Sequence, residues 1–293
     1  MKKIAPPWVI VLAAFVLSIF IFFFANGESN KPEKVEPDVY YDLITKNAIE
    51  GDSQSFQKIN RKLYESQDLA AALIDYNYNM LMSVAENAIL FTNGDNDTYP
   101  AWMLQVVKNI RKDVTILNIH LNKKYPDYLK RNFSARGIEL NAKEMPLKDS
   151  ETFVADLCQV IHQKHPNIPI YLAVTVALDH IKPIRDQLYL VGLAYKFSPE
   201  RFDNVARLKE NWVNHFRLDY LHHNWYSEPH PSTPMILTQL NQNYIPPLLM
   251  LYEHYIENDN QAKAEQCKAF AIKIAKKTGQ VEAVQHYIEN INR

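Results

Sequence analysis

Three short apolar runs, each followed by a stretch of helical periodicity, constrain this chain more than any other feature. Ala88-Ile89-Leu90-Phe91 reads as a first strand, Thr115-Ile116-Leu117-Asn118-Ile119 as a second, and Pro169 to Val174 as a third. Between the first two, Trp102, Met103, Val106, Val107 and Ile110 fall on one face of a helix. Between the second and third, Tyr128 to Arg136 reads as a helix ended by Gly137. Ser150 then reads as the cap of a further helix carrying Phe153, Leu157, Val160 and Ile161. Strands separated in this way cannot pair as tight hairpins and need parallel crossovers. The pattern predicts an α/β fold: a Rossmann-like parallel sheet core of three or more strands with flanking helices, spanning 88–200. Leu188 to Phe197 reads as another extended segment within it.

Helical spacing rules on either side of this core. Over 39–87, Tyr40, Leu43 and Ile44 predict one helix and Phe56, Ile59 and Leu63 a second, with Gly51-Asp52 as the break. A third is expected from about Asp68 to Ala85. Over 201–293 the chain is helical again, and Leu248, Leu251, Tyr255, Ala264 and Ala271 have the spacing of one tetratricopeptide-like helix pair. A lone unit of that kind cannot bury its own face, so it is expected to cap the core.

Composition narrows the function mainly through glycine. The six glycines are scattered singly, which excludes a dinucleotide loop, a P-loop and a nucleophile elbow. Two cysteines, Cys158 and Cys267, support neither a zinc ribbon nor a disulfide scaffold; two buried free thiols are expected, with a disulfide as the alternative in an oxidising compartment. A net charge of −1 offers no field to gather nucleic acid.

The amino terminus carries a membrane signal. Lys2 and Lys3 precede an uncharged run from Trp8 to Ala25, which at about 1.5 Å per residue gives roughly 27 Å of helix, enough to cross a hydrocarbon core. Residues 1–27 are expected to form a single-pass anchor or a long signal peptide cleaved after Gly27, and 28–38 a polar linker. The positive-inside rule places the tail in the cytoplasm and the body in the periplasm of a bacterial inner membrane.

The loop Thr92-Asn93-Gly94-Asp95-Asn96-Asp97-Thr98-Tyr99-Pro100 is the most informative stretch for chemistry. It follows a strand and opens a helix, where α/β proteins place ligands. Asp95 and Asp97 are oxygen donors suited to Ca²⁺, Mg²⁺ or Mn²⁺. Asn93, Asn96 and Thr98 can bond sugar hydroxyls, with Tyr99 or Trp102 as a stacking surface. The opposing reading is structural, with Asp97 or Thr98 capping the helix and Asn93-Gly94 making the turn. Asn118, His120 and Asn122 after the second strand and Thr175 after the third can share the same crevice. His215, His222, His223 and His230 cluster near Trp225, but in no recognised ligand spacing.

The run FTNGDNDTYPAWMLQVVKNIRKDVTILNIHLN resembles the soluble carboxyl-terminal domain of a bacterial family of multi-pass membrane proteins similar to protein O-mannosyltransferases. The resemblance rests on Phe91, Gly94 to Pro100, Trp102, Leu104-Gln105 and Arg111-Lys112-Asp113-Val114, and continues at Pro169 to Val176, Gly192 to Phe197 and Asn204 to Leu221. The family's transferase chemistry would lie in a multi-span region that this sequence lacks, so the resemblance implies the accessory domain without the catalytic body. The expected function is a membrane-anchored extracytoplasmic accessory domain linked to envelope glycosylation. It would bind a glycan, a lipid-linked sugar or a membrane glycosyltransferase. The enzymatic alternative is divalent-metal-dependent sugar or phosphate transfer or hydrolysis at Asp95 and Asp97; a pure scaffold is the third.

Overall fold

In the computed structural model, residues 37–141, 144–146, 150–223 and 234–291 are described. The expected anchor and linker lie outside them, and no helix among the described residues is long and apolar enough to cross a membrane.

The chain from Tyr40 onward forms one unit. It opens with three helices, α1 (Pro37–Glu50), α2 (Ser53–Ser66) and α3 (Ala71–Ser83). The third is shorter than its periodicity suggested. Beyond it Val84 is extended, and Arg111 takes the carbonyls of Leu81, Val84 and Ala85 that the ended helix leaves open.

The three expected strands are present as β1 (Ile89–Thr92), β2 (Thr115–Asn118) and β3 (Ile170–Ala173), and they pair in parallel with β1 in the middle. All four residues of β1 and of β3 are buried, which explains why both read as continuous apolar runs. Leu188 to Phe197 is not one extended segment. It is a hairpin of β4 (Leu188–Leu190) and β5 (Ala194–Phe197), folded at Val191-Gly192-Leu193. β5 pairs antiparallel with β3, giving a five-stranded mixed sheet in the order β2-β1-β3-β5-β4. Gly192 sits at φ +140°, and a Cβ there would come 2.5 Å from the Ser83 hydroxyl oxygen, which also accepts the Leu193 N–H. Only glycine allows that approach.

The crossover from β1 to β2 is α4 (Asp95–Lys108), packed on β2 and flanked by α2 and α3. Between β2 and β3 come α5 (Ile119–Lys124), α6 (Pro126–Ser134) and α7 (Phe153–Lys164). Ser150 does not cap α7. Its hydroxyl accepts the Thr152 N–H at 3.1 Å in a local turn, while Thr152 donates to Asp156. The short α8 (Leu178–Ile181) and a 3₁₀ turn lead into β4.

The carboxyl-terminal helices are α9 (Asn204–Asn214), α10 (Asp219–His223), α11 (Pro234–Asn241), α12 (Ile245–Glu257), α13 (Gln261–Thr278) and α14 (Val281–Ile291). The expected pair is α12 and α13, extended by α14. Polar bonds join this cap to α3. Asn79 donates to the Arg217 carbonyl and to Tyr244, and Asn211 donates to the carbonyls of Ser83 and Val191. Cys158 and Cys267 are both buried and free, as their apolar contexts implied.

Candidate functional site

The carboxyl ends of β1, β2 and β3 meet as expected, and the Asp loop lies over them. Gly94 occupies the cap position of α4 with an extended backbone, and the first helical bond runs from Thr98 N–H to its carbonyl. Having no side chain, Gly94 cannot bond the first turn. The helix is closed from the other direction: the Asp97 carboxylate accepts the Asn93 N–H at 2.8 Å and the Gly94 N–H at 2.7 Å. The cap is therefore neither Asp97 nor Thr98 in the sense the sequence suggested.

Asp97 is 2% exposed, and the Thr175 hydroxyl donates to the same carboxylate oxygen that takes the Asn93 N–H. Burial raises its pKa, opposed by the bonds from Thr175, Asn93 and Gly94. Beneath it a second set closes on itself. Thr98 and Thr92 share a hydroxyl bond of 2.7 Å, and the Asn118 amide donates to Thr98 at 3.1 Å. The Asn118 oxygen accepts the His120 and Leu121 N–H groups and so starts α5. Four of the predicted site residues, Asp97, Thr98, Asn118 and Thr175, thus come together, each satisfied by the protein itself.

The others turn elsewhere. Asp95 is exposed and lies on the side of Tyr99, whose phenol pKa is raised first by burial and then, among nearby charges, by Asp95 and Asp42. Tyr99 stacks on Tyr41 of α1 at 4.5 Å and bonds Thr45 at 2.7 Å. Trp102 meets Phe56 of α2 edge-on at 5.5 Å. Neither ring is a stacking surface for the crevice, because Tyr99 packs on α1 and Trp102 on α2. Asn96 contributes its backbone. Pro100 lacks the N–H that would bond the Asn96 carbonyl, and the buried Asn77 amide replaces it at 2.7 Å.

Sequence reasoning missed His180. It follows β3 as His120 follows β2, and the two rings approach to 6.3 Å, edge to face, beside the crevice. The rule that singled out Thr175, looking just past a strand end, would have reached His180 if carried into α8. Asn122 is 2% exposed and its amide has no protein partner. His222 stacks on Phe270 at 4.0 Å, an apolar use that burial reinforces by lowering its pKa; His230 lies outside the described residues. Among the described residues, no three His, Cys, Asp or Glu side chains converge to hold a metal ion.

A second cluster holds the start of β2. Arg111 pairs with Asp113 at 2.8 Å while bonding three carbonyls at the end of α3, and Gln105 donates to the carbonyls of Arg111 and Val114 at 2.7 Å each.

Residues 73–148 match the family model TMEM260-associated domain 2. The match starts in α3 and takes in β1, the Asp loop, α4, the Arg111 cluster, β2, α5 and α6. The Arg111 cluster and, apart from Thr175, the Asp97 cluster therefore fall inside the TMEM260-associated domain 2 match. No curated protein and no solved structure matches the chain.

Proposed function

We propose that this chain is an accessory domain of a glycosylation system, acting by binding a glycan, a lipid-linked sugar or a glycosyltransferase partner. The observation that carries the reading is the state of Asp97. The motif's buried acid spends its oxygens on two backbone N–H groups and the Thr175 hydroxyl, so it serves the fold and not a reacting group. The family match and the resemblance to O-mannosyltransferase-like proteins supply the glycosylation link. An anchor formed by Trp8 to Ala25 would hold the body at the extracytoplasmic face of a membrane, within reach of lipid-linked sugars.

The competing enzymatic reading needs Asp95 and Asp97 at one point around a divalent cation. Their surroundings differ, one beside Tyr99 and the other under Thr175.

The test is glycoprotein staining of envelope fractions from cells lacking the chain. Loss or shortening of glycoprotein bands, restored by the wild-type chain and equally by Asp95→Asn, is the expected result. An unchanged glycoprotein pattern would overturn the proposal. A loss that Asp95→Asn fails to restore would favour the enzyme.

A further inference from the structure

Further along α4 from the crevice lies a cavity of about 400 Å³, bounded by the α1–α2 turn, α4, the first residues of β2, and α6. That size is at the small end of ligand pockets. Phe56, Trp102 and Tyr128 supply aromatic carbon to its lining.

Its polar atoms distinguish it from every other cluster described above. Trp102 is 5% exposed and Tyr128 3%, and among the described residues neither the indole N–H nor the phenol hydroxyl has a hydrogen-bond partner. Neither atom belongs to the sealed, unpaired set of the interior, so both open on the cavity their residues line. Buried indole N–H and phenol O–H groups ordinarily find a partner. Burial also raises the Tyr128 phenol, which keeps it a donor throughout the physiological range.

Acceptors stand beside these donors. Gln105 uses only its amide N–H₂, on the Arg111 and Val114 carbonyls, and Asn132 uses only its own, on the Tyr128 carbonyl. Both amide oxygens stay open. Charge, by contrast, is balanced. Through Nη2 the Arg131 guanidinium is held on the carbonyls of Ala48 and Ile49 at the end of α1, and the Asp52 carboxylate on the same lining offsets its charge. Gly51, at φ +77°, is the turn residue that lets Arg131 lie there, since a Cβ would come 2.9 Å from its Nε.

Aromatic carbon, two donors, two neutral acceptors and one cation offset by one carboxylate suit a compact, uncharged molecule with an apolar ring face and hydroxyls at its edge. We infer that this cavity binds one neutral pyranose sugar, with Tyr128 and Trp102 donating to its oxygens and Gln105 and Asn132 accepting from its hydroxyls. The inference rests on the glycosylation reading for its choice of ligand class and deepens it by giving the sugar a place other than the Asp crevice.

The experiment is saturation-transfer NMR on the full chain with methyl α-mannopyranoside, methyl β-glucopyranoside and N-acetylglucosamine. A short mannose oligosaccharide serves as the glycan-end arm and inorganic phosphate as the anion arm. Saturable binding of at least one pyranose is expected, about tenfold weaker in Tyr128→Phe and in Trp102→Phe, as loss of a well-placed hydrogen bond predicts. Tighter binding of the oligosaccharide than of its monomer would identify a glycan end as the source. Equal binding would identify the single sugar. Tyr128→Phe removes only an unpartnered hydroxyl, so its melting temperature should equal the wild type's and a binding loss cannot be ascribed to misfolding. The inference fails if no pyranose saturates, if phosphate binds as well as the sugars, or if both variants bind like the wild type. Failure here with glycoprotein bands still lost in the deletion would remove the cavity and leave the accessory role standing.

Discussion

The first turn of α4 and the turns that follow it are built on opposite principles. Toward the carboxyl ends of the strands, Asp97, Thr98, Asn118 and Thr175 consume one another's hydrogen-bonding capacity, and at the start of β2 the Arg111 guanidinium is likewise engaged by protein groups. Toward α2 and α6, Trp102 and Tyr128 are equally buried yet leave their donors open to a cavity. The closed set carries the acidic loop of the sequence motif; the open set carries Trp102, expected to stack over that loop, and Tyr128, which read only as part of a helix. A dense polar motif is therefore poor evidence for a ligand by itself, because the same residues satisfy a loop that must run across strand ends. An unspent donor in a buried position is better evidence, since the fold has no use for it.

That contrast predicts a hierarchy of costs. The largest belongs to Arg111→Ala, which strips donors from three carbonyls and strands Asp113, and should cost about 3–5 kcal/mol in urea unfolding. Arg111→Lys should recover little of it, because an ammonium cannot span the same fork. Next, Asp97→Ala exposes two N–H groups at the start of α4 and leaves the Thr175 hydroxyl unpaired, a loss of about 2–4 kcal/mol. If either variant unfolds like the wild type, the closed set is not closed.

Much of this arrangement was legible in the sequence, and the parts that were not have physical reasons. The parallel triplet showed because β1 and β3 are buried on both faces and keep an unbroken apolar run. The hairpin at Gly192 was hidden because the turn is made of Val191 and Leu193 flanking one glycine, apolar residues that continue the strand pattern. The convergence of Asp97, Thr98, Asn118 and Thr175 followed from strand-end logic alone. The directions of Tyr99 and Trp102 did not, since they depend on where α1 and α2 pack. The cavity was invisible for a related reason: its lining comes from four separate segments.

A smaller effect tests a single substituted bond. Asn77→Ala withdraws the amide that stands in for the missing Pro100 N–H and leaves the Asn96 carbonyl buried and bare, for about 1–3 kcal/mol. Pairing it with Pro100→Ala, which restores an N–H to the helix, should return part of the loss, and a double-mutant cycle in urea measures the coupling.

The two aspartates should also titrate in opposite senses. Arg111 beside Asp113 holds its carboxyl below the usual range, so that contribution is complete above about pH 4, the unfolded value, and disappears as pH falls through the lower folded value. Asp113→Asn should therefore lose stability more gently than the wild type below pH 4. Burial raises Asp97, so its contribution is complete below the unfolded value and lost as pH rises through the raised folded one. The gap between wild type and Asp97→Ala should narrow from pH 4 to neutrality. Melting curves across pH 3–7 read both slopes, and a shared sign would mean that the two clusters are not distinct in kind.

The smallest expected effect is the most discriminating. Tyr128→Phe deletes a hydroxyl from a buried residue, yet it should change unfolding by less than about 0.5 kcal/mol, because no described protein group depends on that oxygen. Thr175→Val makes a comparable deletion in the closed set and should cost about 1–2 kcal/mol through the bond it gives to Asp97. Both remove one hydroxyl from an α/β interior. If they cost the same, the unpartnered donors of the cavity are structural after all. If only Thr175→Val costs, the fold gains nothing from the Tyr128 hydroxyl, and what it would serve is a molecule the chain binds.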